Sequence, residues 1–133
     1  MSVTSHIDAL AGLVTLTFTG ETSFEEWCAT VEAVLAHPDF RTNMCFMSDR
    51  RAATDIMSKP YFERIVDFLV QHAPKLGGCG WAIVAWTPAD FGMSRMAAIF
   101  AERSPVEVRA FRQYDDALAW LRQRAPGCRP DAP

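Results

Sequence analysis

Two stretches of the chain concentrate side chains that could do chemistry: Ser48-Asp49-Arg50-Arg51, and the run from Trp86 through Phe91-Gly92-Met93-Ser94-Arg95-Met96. Arginine binds phosphate or carboxylate through a planar, permanently charged fork, and free N–H groups at a helix start add partial positive charge. Arg50 and Arg51, next to a helix start, are therefore candidate anion ligands. The competing reading pairs Asp49 with one of them at a strand end, where such surface pairs are common and contribute little. In the second stretch Trp86, Phe91, Met93 and Met96 offer adaptable apolar surface, and Arg95 offers a cation whose stem lies along it. Gly92 inside a helix costs about 1 kcal/mol relative to alanine, which predicts that a backbone or ligand comes close there.

No constellation of an enzyme accompanies these residues. His6, His37 and His72 are dispersed, with no Cys or Ser at a spacing that implies a triad. Gly77-Gly78-Cys79-Gly80 precedes a strand, whereas a phosphate loop follows one and opens a helix. Cys28, Cys45, Cys79 and Cys128 include no C-x-x-C pair. The first three read as small buried hydrophobes, and Cys128 as an exposed residue of a proline-rich tail. The sequence predicts no catalytic set, no metal site and no cofactor.

Composition narrows the partners. The 133 residues are 50% apolar and 22% charged, which is the balance of one folded domain and excludes a disordered chain. Residues 1–40 carry six acids and neither lysine nor arginine, and the basic residues that follow are scattered. No dense basic face with interleaved aromatics forms, so nucleic acid is not an expected partner. The longest apolar runs, Trp81 to Trp86 and Met96 to Ala101, fall far short of the roughly 20 residues of a spanning helix. The opening MSVTSHIDAL lacks a basic region followed by a long apolar one, so a cytoplasmic location is expected.

The elements that position these residues can be read along the chain. Residues 3–8 and 12–19 form a hairpin of β-branched and aromatic residues around Ala11-Gly12. Thr22 or Ser23, with Glu25 or Glu26 three residues on, opens a first helix with an apolar stripe of Phe24, Trp27, Cys28, Val31 and Leu35. Met44 to Met47 is a short buried strand whose end reaches the polar Ser48 to Arg51. A second helix, about 58–72, has a broad apolar face. Trp81 to Trp86 is the central strand, and Thr87-Pro88-Ala89-Asp90 opens a third helix to Glu102 with Met93, Met96, Ala97 and Phe100 as its core stripe. On that helix Gly92, Arg95 and Ile99 fall on an adjacent face. Val106 to Arg112 is the last strand, and a final helix begins with Asp115-Asp116 and ends with Arg122 and Arg124. The order β-β-α-β-α-β-α-β-α predicts one α/β domain over residues 1–125, with a mixed, mostly parallel five-stranded sheet and four helices, followed by a tail at 126–133.

GMSRMAAIFAE (Gly92 to Glu102) with VRAFRQYDDALAWL (Val108 to Leu121) resembles the SpoIIAA-like family of small bacterial proteins, also described as STAS/SEC14-like. The opening hairpin, GETSFEEW before the first helix, and a middle strand ending at Asp49 agree with it. The resemblance implies a mixed sheet with helices against it. Its STAS side implies a regulatory domain, and in the STAS relatives a serine before the second helix is phosphorylated. Ser58 falls at a comparable place, but its neighbours Met57, Lys59 and Pro60 break the motif, and the residue is read as an N-cap ahead of a phosphosite.

The expected role is thus a non-enzymatic, STAS-like interaction domain that docks a protein partner on the side of the second and third helices and forms a homodimer. The alternative is a carrier or sensor of a small anionic amphiphile or lipid. Trp86, Phe91, Met93 and Met96 would then line an apolar pocket, with Arg95 or Arg50 at the head group.

Overall fold

Alternating apolar residues set the sheet first. In β1 (Val3–Asp8) and β2 (Leu13–Gly20), residues Val3, Val14, Leu16 and Phe18 face inward and the threonines between them face outward. The turn between the strands is closed by Asp8, whose carbonyl accepts from the Gly12 N–H at 2.9 Å and whose carboxylate accepts from the Ala11 N–H at 3.0 Å. Gly12 takes a φ of 70°, in the left-handed region that glycine enters without penalty. The computed structural model describes residues 2–124, so the boundary expected at residue 125 and the tail expected at 126–133 lie outside the described residues.

The sheet continues through β3 (Cys45–Ala53), β4 (Gly80–Val84) and β5 (Glu107–Phe111) in the spatial order β1-β2-β3-β4-β5. Only β1 and β2 are antiparallel; the other pairs are parallel, as helical crossovers require. The helices are α1 (Phe24–Leu35), α2 (Lys59–Gln71), α3 (Ala73–Leu76), α4 (Pro88–Phe100) and α5 (Tyr114–Arg124). The α/β class and mixed five-stranded sheet are as expected, but the described residues form five α-helices where four were expected. The extra one, α3, is a single turn. Pro74 cannot continue the hydrogen bonding of α2, yet it is tolerated in a first turn, so the chain restarts a helix at once.

Helices α1, α2 and α4 cover one face of the sheet and α5 covers the other, against β3, β4 and β5. The core of the first face is an aromatic stack in which Trp27 lies 5.9 Å from Trp81 and Trp81 lies 4.2 Å from Phe46. The Trp81 indole N–H donates to Ser48 Oγ at 2.8 Å, which satisfies that buried donor. On the second face Cys45, Met47, Ala82 and Val84 pack on Ala117 and Leu121 of α5. Cys28 and Cys79 are free thiols, whereas Cys45 is disulfide-bonded, a departure from its reading as an isolated thiol. Burial pushes the Cys79 thiol up to about 12, which keeps it protonated and inert. Among the described residues no helix is long and apolar enough to cross a membrane, and no group of side chains could hold a metal ion.

Two local expectations are corrected. The third strand does not end in the polar Ser48 to Arg51 but runs on to Ala53, because β2 pairs with it beyond the end of β4. Within that extension Arg50 and Arg51 together oppose the single residue Phe18, a β-bulge that kinks the strand. On α4 the buried stripe is Asp90, Ser94 and Ala97, at i, i+4 and i+7, while Met96 is 43% exposed. Small residues let α4 lie close to the sheet and turn the methionines aside. Gly92 is exposed, and a Cβ there would meet nothing within 4 Å, so no close approach among the described residues accounts for it.

Candidate functional site

The carboxyl ends of β3, β4 and β5 and the start of α4 meet at one edge of the sheet, where parallel folds place their ligands. Thr87 is the N-cap of α4: its side chain accepts from the Asp90 N–H at 3.1 Å, with Pro88 in the first turn. This cap fixes Asp90 above β3. Arg50, pointing inward from the bulge, donates from Nε to Asp90 Oδ2 at 2.9 Å, and its side chain is only 1% exposed. Its Nη2 donates to the Asp55 carbonyl at 3.1 Å and approaches the Asp55 carboxylate at 3.4 Å. One guanidinium thus faces two carboxylates, an arrangement that locks the β3–α2 loop to the start of α4 and holds no surplus positive charge for an incoming anion.

Asp49 and Arg51 point to the other face. Arg51 grips Asp49 with two hydrogen bonds, Nε at 2.9 Å and Nη2 at 2.8 Å, and its guanidinium lies 4.8 Å over the Tyr114 ring. Burial favours a protonated Asp49, but the hydrogen bonds from the Arg51 side chain and backbone outweigh it and hold the carboxyl below its ordinary range. Arg51 is correspondingly raised by that carboxylate. This is the pairing that the sequence offered as the alternative to anion binding.

Trp86 stands between two clefts at the end of β4, one shared with Asp49 and Arg51 and the other with Pro88 and Arg112, and it is 61% exposed. Arg112 donates to the Trp86 carbonyl at 3.3 Å, and its guanidinium lies 5.9 Å from the Phe91 ring centre. Arg95 lies at the same distance of 5.9 Å from that ring. Neither Arg95 nor Arg112 has a carboxylate partner among the described residues, so Arg95 is not a structural partner of Asp49 or Asp90.

The sequence-derived residues therefore divide. Asp49 and Arg51 share a cleft with Trp86, and Arg112 connects the Trp86 carbonyl to the Phe91 ring, near which Arg95 also lies. Arg50 is nearby but buried. Met93 turns toward Met57, Phe62 and Ala97 between α2 and α4, Met96 is exposed on the outer side of α4, and Gly92 is open to solvent. Ser58 is the N-cap of α2, its Oγ accepting from the Tyr61 N–H at 3.3 Å.

Beneath the edge, between the sheet and α2, is a narrow cavity of about 40 Å³ lined by Ser48, Arg50, Tyr61, Trp27 and Trp81 among others. One water needs roughly 10–15 Å³ in such a measure, so the space suits a few waters rather than an amphiphile. Trp86, Phe91, Met93 and Met96 do not line it. Burial raises the Tyr61 hydroxyl well above its ordinary value, so it stays protonated beside Arg50. Asp55 was not singled out in the sequence, and Tyr61 was read only as part of the apolar stripe of the second helix; their approach to Arg50 depends on a bulge that no local pattern announces. Arg112 was visible as a strand end, but its stacking on Phe91 requires the register of β4 against β5.

No family model matches the sequence, and no curated protein matches it. Among solved structures the chain is similar to an uncharacterized protein of the DUF3478 family with a SpoIIAA-like fold from Shewanella loihica PV-4. The two share 17% identity and a TM-score of 0.58 over 90% of this chain and 91% of that one. In architecture, then, this chain has a SpoIIAA-like fold.

Proposed function

We propose that the chain is a STAS-like regulatory domain of the SpoIIAA-like family that works without catalysis, docking an acidic segment of a protein partner at the edge around Trp86. The observation that carries this reading is the exposed Trp86, whose carbonyl accepts from Arg112, with Arg112 and Arg95 both 5.9 Å from the Phe91 ring centre and both without carboxylate partners among the described residues. Tryptophan and arginine dominate the energetics of protein interfaces because they combine large apolar area with fixed donors. Stacking on Phe91 holds both guanidinium groups near the ring, so little side-chain entropy remains to be lost on binding. The side of α2 and α4 is a poorer choice, since Phe62, Ala97, Phe100 and Met57 already fill the seam between them. The carrier reading lacks comparable support, because the enclosed space is small and its arginine already faces two carboxylates.

Selection from a displayed random-peptide library tests the proposal. Peptides enriched on the wild-type protein are expected to be acidic and to be lost on Trp86→Ala. Enrichment of basic or neutral peptides, or of acidic ones that bind Trp86→Ala equally well, would overturn it.

A further inference from the structure

Strand β5 ends the sheet, and its outer side pairs with no other strand among the described residues. The Glu107 N–H donates to the Cys79 carbonyl and the Phe111 carbonyl accepts from the Ala85 N–H, so Glu107, Arg109 and Phe111 turn their backbone groups toward β4. By alternation the N–H and C=O groups of Val108 and Ala110 point outward, free to pair. A free strand edge is a template for another strand unless something blocks it, and no proline lies between Val106 and Phe111.

The side chains supply the register. Val108 packs on the face of the sheet that carries Trp81 and Ile83. Glu107 lies on the α5 face, where its carboxylate meets Arg124 at 2.7 Å, and Arg109 is on that same face two residues on. Arg109 rests 5.4 Å from the Phe111 ring centre and has no carboxylate partner among the described residues. Beside the edge α4 exposes Ile99 (58%). Ile99 lines an open cleft that runs along Ser104 to Val108.

We propose that two copies of this chain pair antiparallel through β5, with Val108 on the two-fold axis, to form one continuous sheet. In that register the outward groups of Val108 bond to those of Val108 in the second copy. Glu107 of each copy then stands directly opposite Arg109 of the other, twice over and on the same face. Moving the axis one residue places Arg109 against Arg109 or Glu107 against Glu107, and like charges directly opposite are unfavourable. Opposite charges at 107 and 109 thus select one register and make the edge complementary to itself. Ile99 adds apolar area of the kind that a single strand pair needs to be stable. This pairing does not use the edge around Trp86, and the broad apolar face of α2 is not available for a homodimer, because it is consumed by α1, α4 and the sheet.

Sedimentation equilibrium on the full chain at low to high micromolar concentration tests it. The mass is expected to rise from 14.8 kDa toward twice that value. Glu107→Arg and Arg109→Glu alone each set like charges opposite at two positions and are expected to weaken association by about tenfold or more. Combined in one chain they restore opposite pairs, and the dimer is expected to return. The double variant lacks the Glu107–Arg124 bond just as Glu107→Arg does, so recovery cannot come from that contact. A wild-type protein that stays monomeric, single variants that dimerise normally, or a double variant as weak as the single ones would each overturn the proposal.

Discussion

Asp90→Ala removes the carboxylate that holds Arg50. The Arg50 side chain is 1% exposed, and its Nε bond to Asp90 is 2.9 Å long. Removing one partner of a buried ion pair costs about 3–5 kcal/mol, because the remaining charge is left desolvated. Asp55 stays within 3.4 Å and keeps Nη2 hydrogen-bonded, which places the cost at the lower end, about 3 kcal/mol. Two smaller effects nearly cancel: the lost acid in the first turn of α4 costs about 0.3–1 kcal/mol, and the better helix propensity of alanine returns a similar amount. For a domain of this size about 3 kcal/mol lowers the melting temperature by roughly 10 °C. Urea denaturation followed by tryptophan fluorescence reads the change, since Trp27 and Trp81 are buried. Asp55→Ala is expected to cost only about 1 kcal/mol, because the Asp55 carbonyl still accepts from Arg50 and its carboxylate is partly solvated. Replacing the pair together, as Arg50→Met with Asp90→Leu, is expected to recover most of the loss. Asp90→Ala within about 1 kcal/mol of wild type, or equal to Asp55→Ala, would refute the view that Asp90 is the principal counter-ion of Arg50.

Further outcomes follow from the same geometry. Asp49 and Glu26 are both held below the ordinary carboxylate range, Asp49 by Arg51 against the cost of burial and Glu26 by hydrogen bonds from Ser2. Their contribution is present above the unfolded value of about 4 and is lost as pH falls through the lower folded value. Asp49→Asn should therefore flatten the acid limb of urea midpoint against pH, and a limb parallel to wild type would remove that pair from the account. Arg95→Ala should change stability by less than about 1 kcal/mol, since no carboxylate partners it among the described residues, while abolishing binding of the selected acidic peptides. A large thermal loss would make Arg95 structural instead. Gly92→Ala should raise stability by about 1 kcal/mol, because the added methyl meets nothing and helix propensity improves. A fall measured by the same urea titration would show a close contact at Gly92.

What the sequence revealed and concealed has a physical pattern. Signals confined to a few neighbouring residues were legible: Ser23, Ser58 and Thr87 all cap helices as their types predict. The β-α alternation likewise fixed a parallel sheet, because crossovers admit few alternatives. Features set by pairing between distant segments were not legible. Asp49, Arg50 and Arg51 look like a solvated strand end, yet they continue β3, since β2 supplies hydrogen bonds past the end of β4. Arg50 is held in the interior by groups distant in sequence, Asp90 forty residues away among them. On α4 the apolar periodicity of Met93, Met96 and Phe100 competed with the small-residue periodicity of Asp90, Ser94 and Ala97, and close packing on the sheet favoured the small residues.

The docking claim is tested most directly by amide shift mapping of the labelled wild-type protein during titration with a selected acidic peptide. Shifts are expected to be largest for Trp86, the Trp86 indole N–H, residues 87–95 and Arg112, with the buried Trp81 indole unmoved. Shifts centred on the seam between α2 and α4, or on residues lining the cavity around Ser48 and Tyr61, would contradict it.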